Sequence, residues 1–381
     1  MNSNNISLAT KIYVFLCVLN PIFAVYISPL PGVDLGTFLV LICYMFLIIT
    51  NKNKFKISKM LAVLIAYTVL CTVLGLTGVL YSSPFSIVMR LFRFITMLVL
   101  VMGIGFTTYF NKDHYIRVLS TVSLLVAGYA ILQYLSYNFI GIELMNVFGP
   151  TKQDLSNLYV SSDVEYRPAS LFYEPSSVAY FLTPYLCYSL FVSNDYRWSD
   201  YIKLLVVSVG IVVTTSGQGL AVLILCWLIW LLRQIKNLRL ARCFFFAGIF
   251  LLIYYGFDFQ YTIDRIFTTD ELNAVDARAG GYEMIQSVSL ENLITGHGFG
   301  NYDERIYFSS FAEIIFCTGY IGALLVLIMY IGFFVRGIFF QRMLVLSSFL
   351  LMAGGGIYSA TFLCLYLPLL FADFSNRKLA K

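Results

Sequence analysis

Ser86-Ile-Val-Met-Arg90-Leu-Phe-Arg93-Phe-Ile-Thr-Met-Leu-Val-Leu-Val-Met-Gly-Ile-Gly-Phe-Thr-Thr-Tyr109 is a run of 24 residues in which only two carry charge. A helix needs about 20 mostly apolar residues to cross a bilayer. This run meets that length, and it is continuously apolar. The segments of a membrane β-barrel instead alternate over about ten residues. The chain around it has the same character: 60% of residues are hydrophobic, 12% are charged and the mean hydropathy is +0.82. A soluble domain carries about a quarter charged residues. The sequence therefore predicts a single all-α polytopic integral membrane domain over residues 1–381.

Twelve candidate spans follow from the apolar runs and their polar breaks, at about 12–29, 33–50, 60–80, 86–109, 118–140, 176–193, 203–216, 219–232, 243–257, 308–335, 343–355 and 357–373. The seventh and eighth form a hairpin broken at Thr214-Thr-Ser-Gly-Gln-Gly219, and the last two are divided only by Gly354-Gly-Gly356. Because these four are short, the expectation is 10–12 transmembrane helices. The first ten residues lack the basic start of a cleavable signal, so the first run is expected to stay as a span. All eight cysteines lie in or beside apolar runs, which suits small packing residues rather than a disulfide framework. With only His114 and His297 in the chain, no histidine-based metal site is expected.

Charge sets the orientation. With the N-terminus placed in the cytoplasm, eighteen of the 25 lysines and arginines fall on cytoplasmic segments, which is the bias that orients membrane proteins. Both termini are then cytoplasmic. Two long loops, about 141–175 and 258–307, face outward, and the outward side is rich in acids. Its few cations are mostly arginines, the side chain suited to bidentate phosphate contacts. The net charge of +5 thus reflects topology and not nucleic-acid binding. A membrane protein with its elaborate loops on one side is expected to work there.

Arg167-Pro-Ala-Ser-Leu-Phe-Tyr-Glu174-Pro-Ser-Ser177 places an arginine and a glutamate seven residues apart just before a span. Such charges beside lipid are costly unless paired or used. Each precedes a proline, which stiffens the backbone there. Arg167 suits a phosphate clamp, and Glu174 suits orienting or deprotonating a sugar hydroxyl. The bland alternative is an ion pair capping a helix. Residues 273–290 predict an amphipathic helix with Val275, Tyr282, Ile285 and Val288 on one face. Arg278 lies four residues before Tyr282, so the two share a side as a platform for sugar and phosphate, or else Arg278 is a solvated surface residue.

Thr295-Gly-His-Gly-Phe-Gly-Asn301 offers three glycines whose amides suit an anion, with His297 as a base or donor; an ordinary turn is the alternative. Arg90 and Arg93 share one helical face and suit either a pyrophosphate grip or snorkelling to the surface. Ser310-Phe-Ala-Glu313 has the spacing of a capping box at the start of the tenth span.

In their order these features resemble the O-antigen polymerase and O-antigen ligase superfamily of bacterial envelope glycosyltransferases. The stretch from Arg167 to Ser176 is similar to an R-x-x-x-x-F-x-E-P-S entry to a middle span. Thr215-Ser-Gly-Gln-Gly-Leu220 resembles a hairpin usually written S-R-G, with Gln218 where arginine often stands. Arg278 opens the outer helix that precedes a G-x-G-x-G-N stretch, here Gly296-His-Gly-Phe-Gly-Asn301, and Gly319-Tyr-Ile-Gly322 fits the segment beyond. The resemblance covers most of the chain at the level of topology and scattered motifs.

It implies a GT-C-like membrane glycosyltransferase of the bacterial inner membrane, working on the periplasmic face without cofactor or metal. Its partners would be an undecaprenyl-pyrophosphate-linked oligosaccharide, membrane lipid and a chain-length regulator protein. Arg167, Glu174 and Arg278 would be catalytic. Arg90, Arg93, Tyr282, His297 and Arg305 would bind substrate. A ligase often carries a histidine where this chain reads Phe308-Ser-Ser-Phe311, so the polymerase is the expected member. The ligase is one alternative; a lipid-linked oligosaccharide flippase is another, although a transporter should show paired halves that this sequence lacks.

Overall fold

The structure is a computed structural model of the 381-residue chain. It describes residues 6–50, 52, 54–146, 166–192, 197–235, 276–303, 306, 308–355 and 360–374.

Helices account for about three quarters of these residues; the one β feature among them is an isolated antiparallel bridge between Ile27 and Asp34. In chain order the helices are α1 (Leu8–Phe23), α2 (Leu35–Thr50), α3 (Lys59–Gly75), α4 (Pro84–Tyr109), α5 (Lys112–Ile140), α6 (Pro175–Val192), α7 (Trp198–Val213), α8 (Gly217–Ile235), α9 (Asp276–Ser287), α10 (Leu290–Thr295), α11 (Ser310–Arg336), α12 (Phe339–Gly354) and α13 (Ala360–Phe371). Eleven of the twelve expected spans correspond to a helix; the ninth, 243–257, lies outside the described residues. Three helices, α4, α5 and α11, are long and apolar enough to cross a membrane by length and composition. The others are shorter. A helix of 16 residues such as α1 reaches about 24 Å, less than the ~30 Å hydrocarbon core.

The bundle is built around α6, which packs against α5, α7, α8, α12 and α13 and buries most of its side chains. The last helix, α13, fills the space between α1, α4 and α6. Large apolar side chains also cover the exterior: Ile49, Met45, Leu125, Leu324, Ile331 and Val335 are all exposed. An apolar core inside an apolar surface is what a bilayer selects and water does not.

Three helices depart from regular geometry: α5 ends in a π-helical turn at Ser136–Ile140, and the departures in α4 and α11 are each bonded to a neighbouring segment. Leu98–Phe106 of α4 is wound as a wider π-helix. That leaves the Gly103 carbonyl for the Lys56 amide (3.0 Å). Gly105 sits so close to Tyr13 and Tyr44 that any side chain there would overlap them. The break in α11 is at Gly319, where φ is +68°. It exposes three consecutive carbonyls, which accept from His297 N (2.9 Å, to Phe316), Gly298 N (2.9 Å, to Cys317) and the Tyr67 hydroxyl (3.0 Å, to Thr318).

Contacts between the described connections sort them to two ends. One end holds Lys54, Lys56, Lys112, Arg233, Arg336 and Asp373. The other, the loop end, gathers the turns at 24–34, 76–83, 141–146, 166–174, 214–216 and 296–303. Contacts across the loop end knit these turns together, such as Tyr173 Oη donating to Val25 O (3.2 Å) and Ser310 N to Gly355 O (2.8 Å).

Two local expectations are corrected. The cap of α11 is Ser309, whose Oγ accepts from Ala312 N, while the Ser310 hydroxyl turns away to donate to Gly355 O (2.6 Å). That outside partner decides which serine caps. The helix expected at 273–290 is described as Asp276–Ser287 and ends before 290, where a separate short helix, α10, begins.

Candidate functional site

Arg167 is anchored where the loop before α6 meets the α7–α8 turn. Its Nε donates to Thr215 Oγ1 (2.8 Å), and Nη2 donates to the carbonyls of Thr214 (3.2 Å) and Thr215 (3.1 Å). Thr215 is held at φ +48°, a costly conformation for a β-branched residue, so the guanidinium helps fix a strained turn. The neighbouring loop is equally fixed. Ser170, at φ +52°, donates its amide to Gln133 Oε1 (2.7 Å) and its hydroxyl to Val126 O (2.8 Å). Glu174 lies at the start of α6 with its side chain exposed, accepting from the Ser176 hydroxyl (3.0 Å). Arg167 and Glu174 thus lie in one loop segment with separate partners, and no ion pair between them is seen among the described residues.

The two arginines of α4 have different partners. Arg93 forms an ion pair with Asp34, which is fully buried and also caps α2 by accepting from Thr37 N (2.7 Å). Arg90 donates to the Gly300 carbonyl and lies over the ring of Tyr302, 4.3 Å from its centroid. Its charge also acts on Glu313, one turn into α11. The shared face that the spacing predicted is therefore split between α2 and the glycine loop.

That loop is packed, not open. Gly296, Gly298 and Gly300 all have left-handed φ, and a side chain at Gly296 would overlap the backbone at Cys317 and Gly319. Of the three glycine amides expected to face an anion, that of Gly296 donates to Asn292 O (2.8 Å) and that of Gly298 to Cys317 O (2.9 Å). The amides of His297 and Gly298 cap the α11 break, that of Phe299 donates to Thr72 Oγ1 (3.2 Å), and that of Asn301 to Gly298 O (3.1 Å). These contacts support the turn reading.

His297 is buried, stacked on Phe316 at 4.5 Å and edge-on to Tyr81. Burial lowers its pKa, opposed by the hydrogen bond to Phe316 O, so the ring is neutral at pH 7. Its surroundings make it a packing residue of the loop. Tyr282 in α9 is partly exposed; its hydroxyl accepts from Ser309 (3.0 Å) and donates to Ala353 O (3.3 Å). The backbone of Arg278 lies in the first turn of the same helix. The Arg278 side chain and all of Arg305 lie outside the described residues.

Every described candidate thus sits at the loop end. A run of contacts links several of them. Thr215 leads to Gln218, which accepts from Tyr180 Oη (2.7 Å); Gln218 lies against Gly355; and Gly355 receives Ser310, next to the Ser309–Tyr282 pair. The sequence reading missed Asp34 and Asn301. Asn301 is fully buried and ties the 296–303 loop to the 76–83 turn through Val79 O (2.8 Å) and Tyr81 N (2.8 Å), with His297 O (2.8 Å) in its own loop. Its place as the last letter of the glycine motif was the available signal. No local pattern marks Asp34, whose partner lies in another helix.

Comparison of the chain with protein-family models, with curated proteins and with solved structures finds no match. The functional reading rests on the residues themselves.

Proposed function

We propose that this chain is a GT-C-type membrane glycosyltransferase of the bacterial inner membrane, with both termini in the cytoplasm. It would act as a polysaccharide polymerase. It would transfer a growing glycan from undecaprenyl pyrophosphate to the sugar of an incoming lipid-linked repeat unit at the loop end. The carrying observation is that Arg90, Arg167, Glu174 and Tyr282, dispersed over nearly two hundred residues, all lie at the same end of an apolar helical bundle.

In this reading an acceptor hydroxyl attacks the anomeric carbon of the donor glycan. The bond from that carbon to the pyrophosphate oxygen breaks, and undecaprenyl pyrophosphate leaves with the electron pair. Arg167 and Arg278 hold the charge that develops on the leaving oxygen, an electrostatic stabilisation of the transition state. The hydroxyl proton passes to Glu174, an exposed carboxylate with one hydroxyl donor among the described contacts. Arg90, Arg93 and His297 act as positioning residues, since their contacts hold the glycine loop and α2 in place. Confinement of both lipid-linked substrates to one leaflet reduces the search.

Deletion of the gene, followed by gel analysis of surface polysaccharide, distinguishes the readings. Loss of a polymerase leaves core bearing a single repeat unit. Loss of a ligase leaves bare core, and loss of a flippase also removes the single unit. Complementation with Arg167→Ala or Arg278→Ala at equal expression is expected to leave the single-repeat pattern; normal ladders from both would overturn the site.

A further inference from the structure

A cavity of about 740 Å³ opens at the end opposite the candidate site, between α3, α11, α12 and α13. Its walls are apolar, with Met60, Ile328, Met329, Phe333 and Phe371 among them. Ile328 also belongs to the exposed apolar stripe of α11 with Leu324, Leu327 and Ile331, so the crevice is continuous with the surface that faces lipid.

Its mouth is basic. Lys59 and Arg336 line it, both exposed and neither with an ion-pair partner among the described residues. Asp373 is the opposing acid. A third cation, Lys112, reaches that rim by donating Nζ to Asp373 O (3.2 Å) and lying 5.6 Å from the Phe374 ring. The N-termini of α3 and α12 meet the C-termini of α11 and α13 there, so the helix dipoles offset one another and the side chains set the sign.

We propose that this crevice is a binding site for an anionic phospholipid. The phosphate would sit between Lys59 and Arg336, and an acyl chain would run along Ile328 and Phe333. Basic pockets between membrane helices select such headgroups, and an apolar groove beneath the charge favours a lipid over a free anion. The site is independent of the glycosyl-transfer reading.

The test uses the full chain purified in detergent, with bound lipid counted by native mass spectrometry after exposure to equal phosphatidylglycerol and phosphatidylcholine. The wild type is expected to retain phosphatidylglycerol preferentially. Lys59→Ala with Arg336→Ala should reduce that preference about tenfold or more, from two lost headgroup contacts. Gly332→Leu is a second, independent variant. Gly332 lines the crevice with open space at its Cβ, so leucine fills the groove while sparing the charges and favouring the helix. It should lose retention as well. Lys54→Ala, outside the crevice, should not. Unchanged preference in the double variant or in Gly332→Leu, or equal loss in Lys54→Ala, would overturn the site. Displacement of phosphatidylglycerol by equimolar polyprenyl phosphate would overturn the choice of a phospholipid.

Discussion

The two ends of this bundle use the same charge differently. At the loop end, guanidinium groups are locked into protein: Arg93 on buried Asp34, Arg90 on Gly300 O and Tyr302, Arg167 on the α7–α8 turn. At the other end, Lys59 and Arg336 extend into the open, and Lys112 makes one exposed contact with a carbonyl. Fixed cations can hold loops and a substrate to a defined geometry; loose ones set membrane orientation and attract anionic lipid. Burial, more than charge, separates the two ends: the loop end pairs Arg93 with a fully buried aspartate, whereas at the other end exposed Arg233 lies over the Phe339 ring and exposed Arg342 donates to Gly337 O.

Substitutions that test this contrast should fall in a clear order. Arg93→Ala should be the most damaging to stability, costing about 3 kcal/mol or more, because it strands a buried carboxylate. Restored stability in the double variant with Asp34→Leu, in detergent thermal melts, would show that the pair and not the arginine alone is responsible. Gly319→Ala should cost about 2 kcal/mol, from left-handed strain and overlap with Ile294 O. A melting temperature equal to the wild type would show that the glycine loop does not lock onto the α11 break.

A pH effect should be smaller. The folded pKa of His297 lies below its unfolded value of about 6.5. The unfolded chain therefore takes up the proton first as pH falls. The stability contribution is complete above about 6.5 and declines through the window below it, toward the folded pKa. His297→Phe, which keeps the aromatic stack, should flatten that part of the profile; an unchanged slope between pH 7.5 and 5.5 would assign it to other groups. Lys54→Ala, at the loose end, should change stability by less than about 0.5 kcal/mol. A large loss there would erase the distinction between the ends.

Much of this architecture is written in local sequence. Uninterrupted apolar runs define helices α1 to α8 and α11 to α13, since each run must satisfy its own backbone in lipid. The entry motif ending at Glu174 was legible as an unusual pair of charges beside prolines. The fate of Arg90 and Arg93 was not legible, because three-residue spacing reports a shared face but not which helix meets it. The glycine motif was read as open amides or a turn. Its actual role, plugging the carbonyls released at Gly319, depends on a break in a helix that lies beyond it in the chain. Asp34 gave no signal at all; a lone aspartate before a span is equally a cap, and burial beside α4 is what makes it consequential.

The central proposal is that Arg167 and Arg278 stabilise the leaving group in transfer from a polyprenyl pyrophosphate. It is tested most directly by reconstituting purified protein with an undecaprenyl-pyrophosphate-linked repeat unit and measuring elongation by Arg167→Ala and Arg278→Ala, each checked for folding. The account predicts polymer from the wild type and a loss of about 100-fold or more in rate from each variant. Elongation by both variants at the wild-type rate would contradict it.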